Sequence, residues 1–177
     1  NAEFGNDLVN HTTYVIAGDG CLMEGISHEA ASFAGHLKLG KLVLLFDDNG
    51  ISIDGSTDIT TSDNIRQRFE AYGWQVLACN GHNHAEIDAA ITAGKAETAR
   101  PTIICCKTEI GFGSPNRAGT AKIHGAPLGA DEMALTREKL DWDHAPFTIP
   151  ETILQDWRAV GSQGDELFSA WQSQLQN

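Results

Sequence analysis

The chain has 177 residues, a length suited to one ordinary domain with its own core, and we expect a single domain over residues 1–177. Twelve Lys and Arg against 24 Asp and Glu give a formal net charge of −12, with no run of basic residues, so neither nucleic acid nor an anionic membrane is an expected partner. No apolar stretch approaches the roughly 20 residues that span a bilayer, which excludes a membrane-embedded protein.

Strand-like and helix-like segments alternate along most of the chain. Strands are predicted at 13–18 (TYVIAG), 41–48 (KLVLLFDD), 74–79 (WQVLAC) and 102–108 (TIICCKT). Three helices are predicted: one at about 24–37, one that Ser62 caps and Gly73 ends, and one at about 84–98. Such alternation implies parallel crossovers, so the predicted fold is an α/β open parallel sheet with helices on both faces.

The segment 109–131 interrupts this alternation. It contains five glycines and two prolines and has no helical or strand period, which predicts a long ordered loop that binds something. Three helices are expected to follow it, at 130–140, 150–160 and about 164–175. The four cysteines lack CxxC spacing and lie mostly in strand-like runs, so we expect reduced thiols and a cytoplasmic protein.

Polar residues stand where the first two strands end. Asp19 lies between two glycines directly after the first strand, and Asn49 follows the second. Ligands of open α/β sheets bind outside the carboxyl ends of the strands, so Asp19 and Asn49 are predicted to share one rim. Their oxygen atoms suit Mg²⁺ or Ca²⁺, and Mg²⁺ commonly also binds phosphate. The Gly-Asp-Gly sequence alone is equally typical of an Asx-capped turn.

The motifs resemble those of transketolases. The spacing of GDG and Asn49, with 28 residues between them, is similar to the thiamine-diphosphate-binding signature. The stretches GDGCLMEGISHEA, DDNGISIDG, RFEAYGW, CKTEIGFGSPN and HGAPLG add to the likeness. The resemblance implies the diphosphate-binding (PP) domain of a thiamine-diphosphate enzyme, with 109–131 as an active-site loop. Residues 145–177 would form a helical extension toward a pyrimidine-binding domain.

The resemblance also implies roles for individual residues. The implied ligands of Mg²⁺ or Ca²⁺ are Asp19, the side chain of Asn49 and the backbone carbonyl of Ile51. The implied cofactor-binding residues are Gly18, Gly20, Glu24, Asn49, Ile53, Ile110 and His124. From the residues alone, Ile53 and Ile110 are equally well explained as core residues, and Glu24 as a first-turn acid stabilised by the helix dipole.

His124 is the implied catalytic residue. It lies in the irregular loop, where an imidazole would ordinarily be solvated, but the matching transketolase histidine contacts the cofactor and a substrate oxygen. The residues before it, AGTAKI, depart from the family pattern, in which a serine commonly precedes this histidine.

The implied activity of the intact enzyme is transfer of a two-carbon ketol unit from a ketose phosphate to an aldose phosphate. The motifs of a pyrimidine-binding domain are missing from this sequence, so we expect a fragment or one part of a split enzyme. It would need a pyrimidine-binding domain or chain, as a homodimer or a split heteromer. The alternatives are a catalytically silent cofactor-binding or assembly fragment, and another thiamine-diphosphate enzyme such as deoxyxylulose-phosphate synthase.

Overall fold

The computed structural model of the chain describes residues 3–176. The strands found there are β1 (Thr13–Gly18), β2 (Leu42–Asp48), β3 (Ile51–Ser52), β4 (Gly55–Ser56), β5 (Gln75–Asn80) and β6 (Thr102–Lys107). The α-helices of the same residues are α1 (Gly5–Leu8), α2 (Asp19–Met23), α3 (Gly25–His36), α4 (Ile65–Ala71), α5 (His84–Ala96), α6 (Ala130–Lys139) and α7 (Glu151–Leu175). Short 3-10 turns lie at Thr57–Ile59 and Ala121–Ile123.

Four of the strands form one sheet in the order β1-β2-β6-β5, and all three neighbouring pairs are parallel. The central strands β2 and β6 are the most continuously apolar in sequence, as expected for strands covered on both faces. The predicted open parallel α/β sheet is therefore confirmed. β3 and β4 form a small antiparallel hairpin after β2.

One face of the sheet packs against α3 and α4. Phe69 of α4 is 1% exposed, and it meets the Trp74 ring edge-on at a centroid distance of 5.0 Å. The Trp74 indole N–H donates to the Ala31 carbonyl at 2.8 Å, which ties the turn before β5 to α3. Gly35 permits this approach, because a Cβ there would lie 1.8 Å from the Tyr72 carbonyl oxygen.

The opposite face packs against α5. Val43 and Ile104, from β2 and β6, are almost completely buried there beside Ala90 of α5. This cover does not reach β1, whose Ile16 side chain is 81% exposed.

Two helix predictions were wrong in detail. Asn64, not Ser62, caps α4: its side-chain oxygen accepts the Gln67 N–H at 3.1 Å, and the helix starts at the next residue. The two helices expected at 150–160 and 164–175 are one continuous helix, α7. Gly161 and Gly164 weaken it, but glycine destabilises a helix by only about 1 kcal/mol, and no proline follows Pro150.

The chain divides into two compact units. The larger spans Thr12–Leu140 and contains the sheet, and the smaller combines Asn1–His11 with Asp141–Asn177. Within the smaller unit the Trp171 indole N–H donates to the Leu8 carbonyl at 3.1 Å, joining α7 to α1. The predicted 145–177 extension falls in this unit. Among the described residues, no helix has the length and apolar character needed to cross a membrane.

Candidate functional site

The strand ends of β1 and β2 meet at one edge of the sheet. Gly18 pairs with Asp47 in the parallel register, so the residues that follow each of them lie side by side. Asp19 opens α2 directly after β1, and Asn49 begins the turn after β2. The Gly50 N–H donates to Asp19 Oδ2 at 3.2 Å, so the two predicted ligand positions are in fact adjacent.

The turn after β2 is held by Asn49. Its side-chain oxygen accepts the Ile51 N–H at 2.9 Å, an Asx-type turn that fixes the direction of the amide. Gly50 lies between them with φ of +69°, a conformation that glycine adopts without strain. The turn therefore brings the Asn49 side chain and the Gly50 N–H to the same edge as Asp19.

The Asp19 carboxyl lies in a partly buried, electronegative setting. Burial raises its pKa above the usual range, the Gly50 N–H opposes this, and the nearby negative charge of Asp48 raises the pKa further. A bound cation would favour the ionised form and offset the desolvation. The electrostatics at Asp19 are thus those of a carboxylate that gains from a positive partner.

A cavity of about 680 Å³ opens at this edge. Eight of the nine predicted site residues line it, namely Gly18, Asp19, Gly20, Asn49, Ile51, Ile53, Ile110 and His124. They come from four separate segments, the ends of β1 and β2, the β3 hairpin and the long loop. The fold therefore gathers almost the whole predicted set around one space, while their individual roles stay predictions.

Glu24 is the exception, because it is not among the cavity-lining residues. It is the exposed N-cap residue of α3, and its backbone carbonyl accepts the Ser27 N–H at 3.0 Å. The Glu24 backbone therefore caps α3, and the residue is not part of the cavity wall.

Sequence reasoning missed two cavity residues that belong to the same edge. The Thr108 hydroxyl, after β6, donates a hydrogen bond to Asp47 Oδ1, and the Asn49 amide nitrogen donates one to Asp47 Oδ2 at 3.4 Å. Asp47 thus links the ends of β2 and β6 and orients Asn49. Thr108 ends the strand predicted at 102–108 and directly follows β6 in the structure, so applying the strand-end rule to this strand would have found it.

His82, after β5, is exposed and also lines the cavity. Its Nε2 accepts the Glu109 N–H at 2.9 Å, so the proton of the neutral ring is on Nδ1. The ring stacks on Phe112 with a centroid distance of 4.0 Å. His82 therefore holds the start of the long loop beside β5.

The first half of the loop, at Ser114 and Asn116, is held by Glu132, a buried carboxylate in α6. It accepts hydrogen bonds from the Ser114 hydroxyl, the Asn116 N–H at 2.8 Å and the Asn116 side-chain amide at 2.9 Å. Gly119 closes the loop by donating its N–H to the Ile110 carbonyl at 2.8 Å. The Ser114 hydroxyl and Asn116 groups lower the pKa of Glu132 to about 2. The loop that carries Ile110 and His124 is thus internally braced.

A second cavity, of about 710 Å³, shares Asp19 with the first. His28 forms part of its wall, and His28 Nδ1 lies 3.2 Å from the Tyr72 hydroxyl. Arg68 lies 3.1 Å from His28 Nε2 and donates to the Leu22 carbonyl at 3.0 Å. This network fastens α4 to α2 and α3.

The donor atoms at the first cavity suit a hard divalent cation. Asp19 and Asn49 offer oxygen, and phosphate or water can complete the shell of such an ion. Within residues 3–176 no cluster of three or more His, Cys, Asp or Glu side chains has metal-binding geometry. A cation here would therefore need amide, backbone or ligand oxygens besides carboxylates.

The sequence relatives are transketolases. A family model described as "Transketolase, thiamine diphosphate binding domain" matches residues 1–177. The chain is 53% identical over 176 residues to a transketolase of Cereibacter sphaeroides, covering 99% of this chain and 27% of that protein. It is 60% identical over 168 residues to transketolase 2 of Vibrio vulnificus strain CMCP6, covering 94% of this chain and 25% of the relative. The chain thus spans about a quarter of the length of these relatives.

Solved structures agree with the sequence relatives. The transketolase of Campylobacter jejuni superposes with a TM-score of 0.94 at 38% identity, over 98% of this chain and 28% of that one. The transketolase of Leishmania mexicana gives a TM-score of 0.92 at 36% identity, over 97% and 26%. The chain belongs to the transketolase family and corresponds to its thiamine-diphosphate-binding domain.

Proposed function

We propose that the first cavity holds the diphosphate end of thiamine diphosphate, together with a divalent metal ion, Mg²⁺ or Ca²⁺. The metal would be held by Asp19, the side chain of Asn49 and the backbone carbonyl of Ile51, and Gly18 and Gly20 would lie beside the diphosphate. The convergence of these segments on one cavity, joined by the Asp19–Gly50 hydrogen bond, is the observation that carries the proposal.

The charge of the cavity makes the metal necessary for binding. Three carboxylates line it, those of Asp19, Asp47 and Glu109. Within residues 3–176, no Lys or Arg lines it. A diphosphate entering alone would meet these three carboxylates without a Lys or Arg to offset them, and its favourable partners would be neutral polar groups and backbone N–H groups at the start of α2. A divalent cation held by Asp19 would supply the positive charge that a diphosphate needs at this cavity. Cofactor binding should therefore depend strictly on the metal.

The remaining predicted residues suit the other parts of the cofactor. Ile53 is 71% exposed and lies on the cavity, so its side chain is available to cover an aromatic ring. Ile110 is half-buried on the facing loop. His124 is exposed at the cavity, where it can donate a hydrogen bond to a substrate oxygen or exchange a proton with it.

The activity that we propose for the intact enzyme is ketol transfer between sugar phosphates. Bound thiamine diphosphate supplies the carbon nucleophile and electron sink for this reaction. The chain's residues would anchor the diphosphate, cover the rings and place His124 near the substrate oxygen. A pyrimidine-binding domain or chain would complete the site, in a homodimer or a split heteromer. Glu24, exposed and outside the cavity, would join the contact between subunits.

The test is thermal unfolding of the chain with thiamine diphosphate, with and without Mg²⁺. A ligand that binds only the folded state raises the unfolding temperature. We expect a rise with both ligands present, reversed by EDTA, and a smaller rise with thiamine monophosphate. Ketol-transfer activity is then measured for the chain alone and mixed with a transketolase pyrimidine-domain chain.

Three outcomes separate the possibilities. Metal-dependent binding together with activity only in the mixture supports the proposed role. Binding without activity in a mixture that forms a stable complex would favour a catalytically silent cofactor-binding chain. No stabilisation by thiamine diphosphate at any Mg²⁺ concentration would contradict the proposal itself.

A further inference from the structure

Two buried thiols face each other behind the first cavity. Cys79 in β5 and Cys106 in β6 are direct partners in the parallel register, and their Sγ atoms are 3.7 Å apart. Both side chains are buried, at 9% and 8% exposure. The Cys106 thiol also lies 3.5 Å from the Ile104 carbonyl, within reach of a weak S–H hydrogen bond. Both thiols therefore point into the same apolar cluster beneath α5.

The backbone spacing at this pair suits a disulfide. Neighbouring strands lie about 4.8 Å apart, and disulfides join residues whose Cα atoms are about 4.4–6.8 Å apart. The sulfur atoms need to close from 3.7 Å to about 2.05 Å, which small rotations of the two side chains can supply.

The adjacent Cys105 does not compete for Cys79. Successive strand residues point to opposite faces of a sheet, and Cys105 belongs to the cluster under α3 and α4. Cys21 is exposed in α2, which follows the edge strand β1, whereas Cys79 lies in β5 at the other edge of the sheet. Cys79 and Cys106 are thus the pair selected by the fold.

We propose that Cys79 and Cys106 are an oxidation site, at which hydrogen peroxide converts the two thiols to an intramolecular cross-strand disulfide. This inference rests on the geometry of the pair and is independent of the proposed cofactor function.

The reaction balances in two steps. One thiolate attacks a peroxide oxygen, the O–O bond breaks, and a sulfenic acid and hydroxide form. The partner sulfur then attacks the sulfenic sulfur, the S–O bond breaks and water leaves. In total, two thiols and one peroxide give one disulfide and two waters, and the two sulfurs are oxidised as the peroxide is reduced.

The burial of the pair sets its rate. Burial raises the pKa of the Cys106 thiol to about 12, and the Cys79 thiol beside it adds to this. Thiolate is the reactive form, so oxidation should be slower than at the exposed Cys21. β5 is an edge strand of its sheet, so local opening at that edge gives peroxide access.

The disulfide would lie in a row of paired strand residues that ends at the first cavity. In register, Asp47 of β2 pairs with Cys106, which pairs with Cys79. The packing around Cys106 is close, since a Cβ on Gly81 would lie 3.3 Å from the Cys106 Cβ. A change at the two sulfurs is therefore adjacent to the Asp47 carboxylate that orients Asn49.

The experiment is peroxide treatment of the folded chain carrying Cys21→Ser, which removes intermolecular disulfides through the exposed thiol. Free thiols are blocked with N-ethylmaleimide after denaturation, and the mass and cross-linked peptides are determined. Cys105→Ala and Cys106→Ala, each in the Cys21→Ser background, are the matched variants. Circular dichroism establishes that every variant tested is folded.

The expected result is a monomer that has lost two hydrogen atoms and two blockable thiols, with a peptide joining Cys79 to Cys106. Dithiothreitol should reverse it. The product should form with Cys105→Ala and be absent with Cys106→Ala. Retention of all thiols in the folded chain, conversion to sulfinic acids only, or a cross-link that survives Cys106→Ala would each overturn the proposal.

Discussion

The backbone N–H of Gly50 donates a hydrogen bond to the carboxylate of Asp19 at 3.2 Å, across 31 residues of sequence. This contact joins the turn after β2 to the start of α2, and so fixes the Asn49 turn relative to Asp19. The carboxylate has further acceptor capacity for a cation, and burial, with the nearby charge of Asp48, disfavours its ionised form and raises its pKa.

We expect Asp19→Asn to weaken cofactor binding without destabilising the folded chain. We expect metal-dependent binding of thiamine diphosphate to weaken by about 10-fold or more, because interactions of a charged group contribute about 1.5–3 kcal/mol. The stability of the free chain should be unchanged or higher, since a partly buried charge near Asp48 is removed. Calorimetric titration and urea unfolding provide the two values.

Asp54→Asn is the matched control, because Asp54 is exposed in the hairpin turn and does not line the cavity. Equal losses of affinity in both variants would mean that net charge, and not the position of Asp19, governs binding.

Glu132→Gln should loosen the long loop. An amide places an N–H group opposite the Ser114 or Asn116 donors, so at least one hydrogen bond is lost. We expect a lower urea midpoint at neutral pH and faster proteolysis within 109–131. Glu138→Gln, at an exposed position of the same helix, should have little effect on either.

The stabilisation by Glu132 should also depend on pH. The pKa of its carboxyl is lowered from 4.5 to about 2, so the contribution is complete above 4.5 and is lost as the pH falls toward 2. The difference in urea midpoint between the native chain and Glu132→Gln should therefore shrink over that range. A difference that stays constant down to pH 2 would show that the charge of Glu132 is not the cause.

Gly35→Ala should destabilise the larger unit. Its Cβ would lie 1.8 Å from the Tyr72 carbonyl oxygen, so α3 must move away from the turn before β5. Overpacking of this kind costs about 1–3 kcal/mol in the free energy of unfolding. Gly25→Ala, in the same helix with no atom within 4 Å of the added Cβ, is the control and should be neutral or slightly stabilising.

Gly161→Ala and Gly164→Ala should each stabilise α7. Both added Cβ atoms meet open space, and alanine is favoured over glycine in a helix interior by about 0.5–1 kcal/mol. Helical circular dichroism at elevated temperature should rise in both. A fall would indicate that a break between two helices, as the sequence pattern predicted, is the preferred structure.

The sheet and its edge were predictable because they depend on short-range patterns. The apolar runs of β2 and β6 mark central strands, and the rule that ligands bind beyond strand ends places Asp19 next to Asn49. The same rule reaches Thr108 and His82, which follow β6 and β5, once polar residues after every strand are considered.

The remaining features depend on contacts between distant residues or on small energy differences. The hydrogen bond of Glu132 to Ser114 spans 18 residues and depends on how the loop folds back, which no periodic pattern encodes. The continuity of α7 depends on whether two glycines outweigh the surrounding helix formers, a balance of about 1 kcal/mol per residue. The cap of α4 is Asn64, two residues after the predicted Ser62.

The parallel order of the sheet has a consequence for how the chain acquires its structure. Each of the three pairings needs a crossover connection. β2 pairs directly with β6, although β5 lies between them in the sequence. Such non-local pairings form slowly, because chain entropy is lost before the contacts are gained. The cavity lining extends from Gly18 to Gly125, so a chain emerging from the ribosome has no complete binding site until Gly125 is free. If the proposed site is correct, the cofactor binds only after the sheet has formed and does not assist its early folding.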